Sequence, residues 1–269
     1  MDRQSWKAPL LQGRVVVVAG VGPGLGAHVA RDAAAAGAAV MLGSRNAAYL
    51  DELSAELRDA GAVVARRTCD VTSDPDCRAL FSDAVDELGG VDGVVCNAYA
   101  QSRAYGRTLE ESDVDDWKEA FDVNVFGSLR VVKAAIPALK ARAAGSVVLV
   151  GSQIVRRVFA GRGPYAASKA ALVTAGHVLA RELGPFGIRV NTIVPGRMRG
   201  PALERHLTNL AAERGTSFEA ELARMESDVP LPQLTTDEEC ARVVVFLLSD
   251  LAAGMTGQSV DVNAGETMR

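Results

Sequence analysis

Short apolar runs at residues 14–19, 39–43, 63–67, 92–96, 145–151, 188–194 and 259–262 are separated, over most of the chain, by amphipathic stretches of helix length. Alternation of this kind marks βαβ units, because two parallel strands need a crossover connection long enough to hold a helix. Parallel strands with crossover helices follow from this order, covered on both faces. Helical stretches lie at 25–37, 48–61, 75–88, 113–142, 164–184 and 236–249, and Gly37, Gly61 and Gly89 end three of them as C-caps would. The expectation is an α/β fold: a doubly wound, mainly parallel seven-stranded sheet with helices on both faces. Residues 197–232, charged and bounded by prolines, are the one long excursion without a strand partner and read as a helical lid or substrate loop.

A chain of 269 residues that is 48% hydrophobic can bury a substantial core, and residues 1–269 read as one domain. A net charge of −4 with no basic block excludes a nucleic-acid surface, which needs excess Lys and Arg against phosphates. Cys69, Cys77, Cys96 and Cys240 lie far apart without zinc-type spacing and read as reduced packing cysteines. His28, His177 and His206 sit in helical stretches without partners, so no metal site is expected. The opening "MDRQSWKAPLLQGR" lacks an apolar leader and no apolar run reaches membrane-spanning length, which implies a soluble, cytoplasmic protein with no membrane partner.

Behind the first valine run, Gly20, Gly22, Gly24 and Gly26 occupy alternate positions where a strand passes into a helix. Backbone N–H groups point outward there and the helix dipole favours an anion, so a diphosphate suits the place. Glycine supplies the tight turn and removes the Cβ atoms that would hold phosphates away. Gly22-x-Gly24-x-x-Ala27 fits the common dinucleotide fingerprint but starts two residues late. Gly20-x-Gly22-x-Gly24 would suit a methyltransferase, which usually has an acid where this chain has Val18. Gly20-x-x-x-Gly24-x-Gly26 begins at the strand end and fits best.

Tyr165 and Lys169, four residues apart, share one face of a helix. Ser152 follows the run "SVVLVG", at the strand end where active residues of doubly wound sheets gather. The trio suits carbonyl chemistry. A phenol with a free pKa near ~10 is a poor acid/base at neutral pH until an ammonium such as Lys169 stabilises its phenolate. Ser152 would hydrogen-bond the substrate oxygen as charge develops on it.

With these motifs in place, the sequence resembles the short-chain dehydrogenase/reductase superfamily from about residue 12 to 265. The motifs run in order: the glycine turn, "CDVTS" with Asp70, "VCNAYA" with Asn97 and Ala98, "DVNVFGS" with Asn124, Ser152, Tyr165 with Lys169, "IVPGR" with Pro195 and Gly196, and "MTGQSVDVNAGE". The resemblance implies a Rossmann-type sheet and a catalytic tetrad of Asn124, Ser152, Tyr165 and Lys169, with Asn124 helping to hold a water that links Lys169 to solvent. It implies dinucleotide contacts at Gly20, Gly22, Gly24, Leu25, Gly26, Ser44, Arg45, Asp70, Val71, Asn97, Ala98, Tyr165, Lys169, Pro195 and Gly196. A homo-oligomer, tetramer or dimer, is the family expectation, with Val125, Phe126, Leu129 and Val132 available either to a dimer face or to the sheet.

Cofactor choice follows from charge, since a ribose 2′-hydroxyl asks for a carboxylate after the second strand and a 2′-phosphate for a cation. Ser44 stands where an acid would select NAD(H), and Arg45 follows it, so NADP(H) is expected; NAD(H) is the alternative. Asp70 also reads as a helix-start cap. The function expected is interconversion of a secondary alcohol and a ketone by hydride transfer with Tyr165 as general acid/base, and the alternative is a non-catalytic dinucleotide sensor. Cys96 and Tyr99 depart from the family pattern around Asn97, and Arg197, Met198 and Arg199 replace the Thr that often holds the nicotinamide carboxamide. Gln153 either faces the substrate cleft or bonds backbone. Arg103, Arg156, Arg157 and Arg199 suit an acidic small-molecule substrate if they face inward, whereas Met198, Phe159, Tyr99 and Tyr105 suit a hydrophobic one.

Overall fold

The computed structural model describes residues 9–100 and 103–268. Seven strands, β1 (Val15–Ala19), β2 (Ala39–Ser44), β3 (Val64–Thr68), β4 (Gly93–Cys96), β5 (Gly145–Val150), β6 (Ile188–Pro195) and β7 (Ser259–Val262), form one sheet in the order β3-β2-β1-β4-β5-β6-β7. Every neighbouring pair is parallel, with Val17 of β1 lying between Met41 of β2 and Val94 of β4. The chain reverses its direction of travel between β1 and β4, which opens a crevice beyond their C-terminal ends.

Side chains of β1 alternate between two cores, as strand periodicity requires. Val16 and Val18 pack with residues of α1 (Leu25–Ala35), α2 (Ala47–Asp59) and α9 (Asp237–Leu248) on one face. Val17 and Ala19 pack with residues of α3 (Asp74–Leu88), α5 (Ser128–Ala141) and α6 (Gly163–Leu183) on the other. Both faces are covered, so a valine run without polar alternation is what β1 needs.

The stretch 113–142 departs from the continuous helix read in the sequence. It is α4 (Val114–Phe121), a widened π turn at Asp122–Gly127, and then α5. Asp113 starts α4 through a capping box with Asp116. The wide turn seats Gly127 so closely on the loop after β3 that a Cβ there would come within 2.7 Å of Val71 Cγ2.

Within 197–232 the chain forms α7 (Pro201–Arg214) and α8 (Phe218–Glu226). Leu207, Leu222 and Val229 pack with Leu234 and Ala264 in a small core of their own beside the sheet's C-terminal edge. No helix among the described residues is long and apolar enough to cross a membrane.

Candidate active site

The glycines divide by what surrounds them. Gly20 has φ +97°, and a Cβ on it would lie 2.2 Å from the Ala98 nitrogen. A Cβ on Gly26 would lie 2.8 Å from both Asn97 Nδ2 and the Gly20 oxygen, and Asn97 Nδ2 donates to that same oxygen at 2.7 Å. These two glycines therefore serve the protein's own close packing of the β1 and β4 ends. Gly22 is different, because a Cβ there would meet nothing within 4 Å. Its bareness opens a cradle before the N-terminus of α1, which no side chain caps, leaving helix-start N–H groups and the positive dipole end for an anion. The residues fit a dinucleotide diphosphate. Asp237, buried at the start of α9, is a neighbour the sequence did not reveal: its Oδ2 would lie 3.4 Å from a Cβ on Gly24. Burial pushes its carboxyl above the ordinary value. It comes from the far end of the chain, and only the fold brings it here.

Beyond β2, Ser44 Oγ accepts from the Asn46 nitrogen at 3.3 Å. Arg45 is exposed and within electrostatic reach of Asp70. Asp70 Oδ1 accepts from the Thr72 nitrogen at 2.9 Å and its hydroxyl at 2.8 Å, bonds that hold its carboxyl below the ordinary value. The cap of α3 is Ser73, so Asp70 shapes the preceding turn and does not cap the helix. Val71 is buried against Gly127. Pro195 closes β6, and the Gly196 nitrogen donates to Val262 at 3.0 Å.

Ser152, Tyr165 and Lys169 come together beyond the end of β5. The Ser152 side chain lies close enough to the Tyr165 phenol to pull its value down, and burial outweighs that pull and pushes the phenol up to about 12. Lys169 Nζ donates to the Val150 carbonyl at 2.7 Å and lies 5.8 Å from the centre of the Tyr165 ring. Burial lowers this ammonium to about 8. The sequence reading has Lys169 pulling the phenol down; here loss of water governs both groups and the ammonium is turned to a backbone carbonyl. At neutral pH the site thus holds a protonated phenol, a hydroxyl partner and a buried cation, which together can deliver a proton to an oxygen and stabilise charge on it.

Asn124 sits in the π turn, fully buried. Its Oδ1 accepts from the Ala100 nitrogen at 2.7 Å, and its Nδ2 donates to the Ala100 oxygen and Ser168 Oγ, both at 2.9 Å. Its side chain therefore ties the loop after β4 to α6. The Asn124 carbonyl, in the widened turn, accepts from Ser128 Oγ at 3.0 Å.

Around this cluster, Cys96 is a buried packing thiol, pushed up to about 12 by burial. Tyr99 and Tyr105 are exposed; Gln101 and Ser102 between them lie outside the described residues. The arginines read as anion partners are engaged or exposed. Arg103 pairs with Glu119, Arg156 pairs with Asp261 at 3.0 Å, Arg157 stacks on Phe159, and Arg199 is exposed. Of the four apolar residues on the π turn and α5, Val125 and Val132 pack inside and Phe126 is exposed. The Gln153 side chain does not bond backbone: its Nε2 donates to Glu266 Oε2 at 2.6 Å.

Against known proteins, residues 20–267 match the family model described as enoyl-(acyl carrier protein) reductase. Dehydrogenase/reductase SDR family member 4 of Oryctolagus cuniculus is 32% identical over 96% of this chain and 95% of its own length. The chain belongs to the short-chain dehydrogenase/reductase superfamily. A monensin polyketide synthase putative ketoacyl reductase of Streptomyces virginiae is 31% identical over 94% of this chain and 96% of its own. The crystal structure of an NAD+-bound xylitol dehydrogenase superposes with a TM-score of 0.86 at 28% identity, covering 95% of this chain and 99% of that one. Like its superfamily relatives, the protein is an NAD(P)-dependent oxidoreductase.

Proposed function

We propose that the protein reduces a ketone to a secondary alcohol, and runs the reverse reaction, with NADP(H). The observation that carries this reading is the convergence beyond β5 of Ser152, Tyr165 and Lys169, with the Lys169 ammonium one helical turn from Tyr165 and 5.8 Å from its ring centre. A bound nicotinamide supplies or accepts the hydride. Tyr165 gives its proton to the carbonyl oxygen, and Ser152 hydrogen-bonds that oxygen as charge builds on it. Lys169 provides the cation that steadies the resulting phenolate. With the Asn124 side chain engaged, any part it has in a water-mediated relay to Lys169 passes through its carbonyl. Gly20 to Gly26 would hold the phosphates, Asn97, Ala98, Asp70, Val71, Pro195 and Gly196 would border the dinucleotide, and α7 and α8 would cover the substrate as a lid.

NADP(H) is favoured because Ser44 and the exposed Arg45 stand where an NAD(H) enzyme needs a carboxylate. Titration of wild type and Arg45→Ala with NADPH and NADH tests this. The expected outcome is tighter NADPH binding by wild type and a loss of about tenfold or more, for NADPH alone, in the variant; equal losses for both dinucleotides would refute it.

A further inference from the structure

Asp237 is a buried carboxyl that neither the capping of α9 nor hydride transfer uses. It is the first residue of α9 and only 6% exposed. Thr236 caps that helix, in a capping box with Glu239, and the Asp237 side chain has no hydrogen bond and no ion pair among the described residues. Its surroundings are two other helix starts. A Cβ on Gly200 would collide with Oδ2 and lie 2.8 Å from Cγ, and a Cβ on Gly24 would lie 3.4 Å from Oδ2. Gly24 stands before α1 and Gly200 before α7, and no side chain caps either helix. The carboxyl is thus aimed at the place where α1, α7 and α9 all begin.

Two effects act on a carboxylate held there. The positive ends of the helices favour its charge, and loss of water opposes it. Loss of water wins, because the group is held above its ordinary value of 3.8. Of the charged neighbours, His28 of α1 favours ionisation, whereas Glu204 of α7 and Glu238 of α9 oppose it. Arg199, before Gly200, is exposed and forms no ion pair among the described residues. Cys240, one turn along α9, is a neutral thiol, pushed up to about 12 by burial and by Asp237. A diphosphate at the start of α1 would add negative charge beside Asp237, in a surround poor in water where like charges repel strongly. With no cation paired to the carboxyl, a proton taken from solvent relieves that repulsion.

We propose that Asp237 sets dinucleotide affinity: its carboxylate opposes the diphosphate at α1, and binding carries a proton onto it, so the dinucleotide is held more tightly in acid than in alkali. This rests on the reading that the diphosphate sits at the glycine turn. Below the free group's value the carboxyl is protonated with or without ligand and affinity is level; above it, affinity falls by up to about tenfold per pH unit until the value of the bound form is passed. Calorimetric titration with NADP+ from about pH 5.5 to 8.5, in pairs of buffers with different ionisation heats, reads affinity and proton uptake together. NAD+ is run beside it, since a 2′-phosphate ionises near ~6 on its own account, and a His28→Gln background takes the imidazole out of the comparison. Wild type is expected to take up as much as about one proton more than Asp237→Asn, with both dinucleotides and in both backgrounds. Above neutrality the variant should bind about tenfold or more tightly than wild type, the two converging as pH falls. Asp237→Ser, smaller and equally neutral, should behave as Asp237→Asn does. Equal proton uptake in wild type and variants, or variants that bind no more tightly, would overturn the proposal and leave the dinucleotide reading standing. Failure of wild type to bind either dinucleotide would sink that reading and the proposal with it.

Discussion

Lys169 shows how one residue couples stability to chemistry. Its ordinary value of 10.5 falls to about 8 in the folded chain because burial penalises the charged form. Between those values the folded state binds fewer protons than the unfolded state, so stability rises with pH from about 8 to 10.5 and the cost of burying the charge is fully present below 8. In urea unfolding curves across pH 7 to 10.5, wild type should gain on the order of a few kcal/mol relative to Lys169→Met. Parallel curves for the two proteins would show that the ammonium is not buried as described. If Lys169 serves Tyr165 as proposed, the same titration removes that cation, and the rate of ketone reduction should fall as pH rises past about 8.

At the scale of elements, α5 ends against a local strain. Ala143, exposed just past its last turn, has φ +54°, a conformation that favours glycine at this helix position. Ala143→Gly should raise stability by up to about 1 kcal/mol without touching activity; a lower melting temperature would contradict this. Elements with dense local signals were legible in the sequence. The valine runs, the glycine turn and the Tyr165 to Lys169 spacing sit in continuous windows, and the strands and helices formed by them begin and end within a few residues of the expected places. What was not legible depends on distant partners. The π turn keeps a helical pattern and differs by one residue per turn, so no periodicity marks it. Glu266 reaches Gln153, and Asp237 reaches Gly24, only after β6, β7 and α9 have been laid beside the sheet. The upward shift of Tyr165 arises from surrounding bulk, which neighbouring residues in sequence do not reveal.

Across the whole molecule, parallel strand order brings the glycine turn after β1, the Ser152 turn after β5 and the Gln153 to Glu266 bond beyond β7 to one edge of the sheet. Parallel strands all point their C-terminal ends to that edge, so under the proposed function a single crevice would serve cofactor and substrate. Helices α7 and α8, with their own small core, stand beside it. In the proposed function Tyr165 is the proton donor of this crevice. The most direct test of that role is turnover by Tyr165→Phe, followed at the nicotinamide absorbance, alongside dinucleotide titration of the same preparation. The prediction is a fall in kcat of at least about a hundredfold with dinucleotide affinity unchanged. Turnover at the wild-type rate would contradict it.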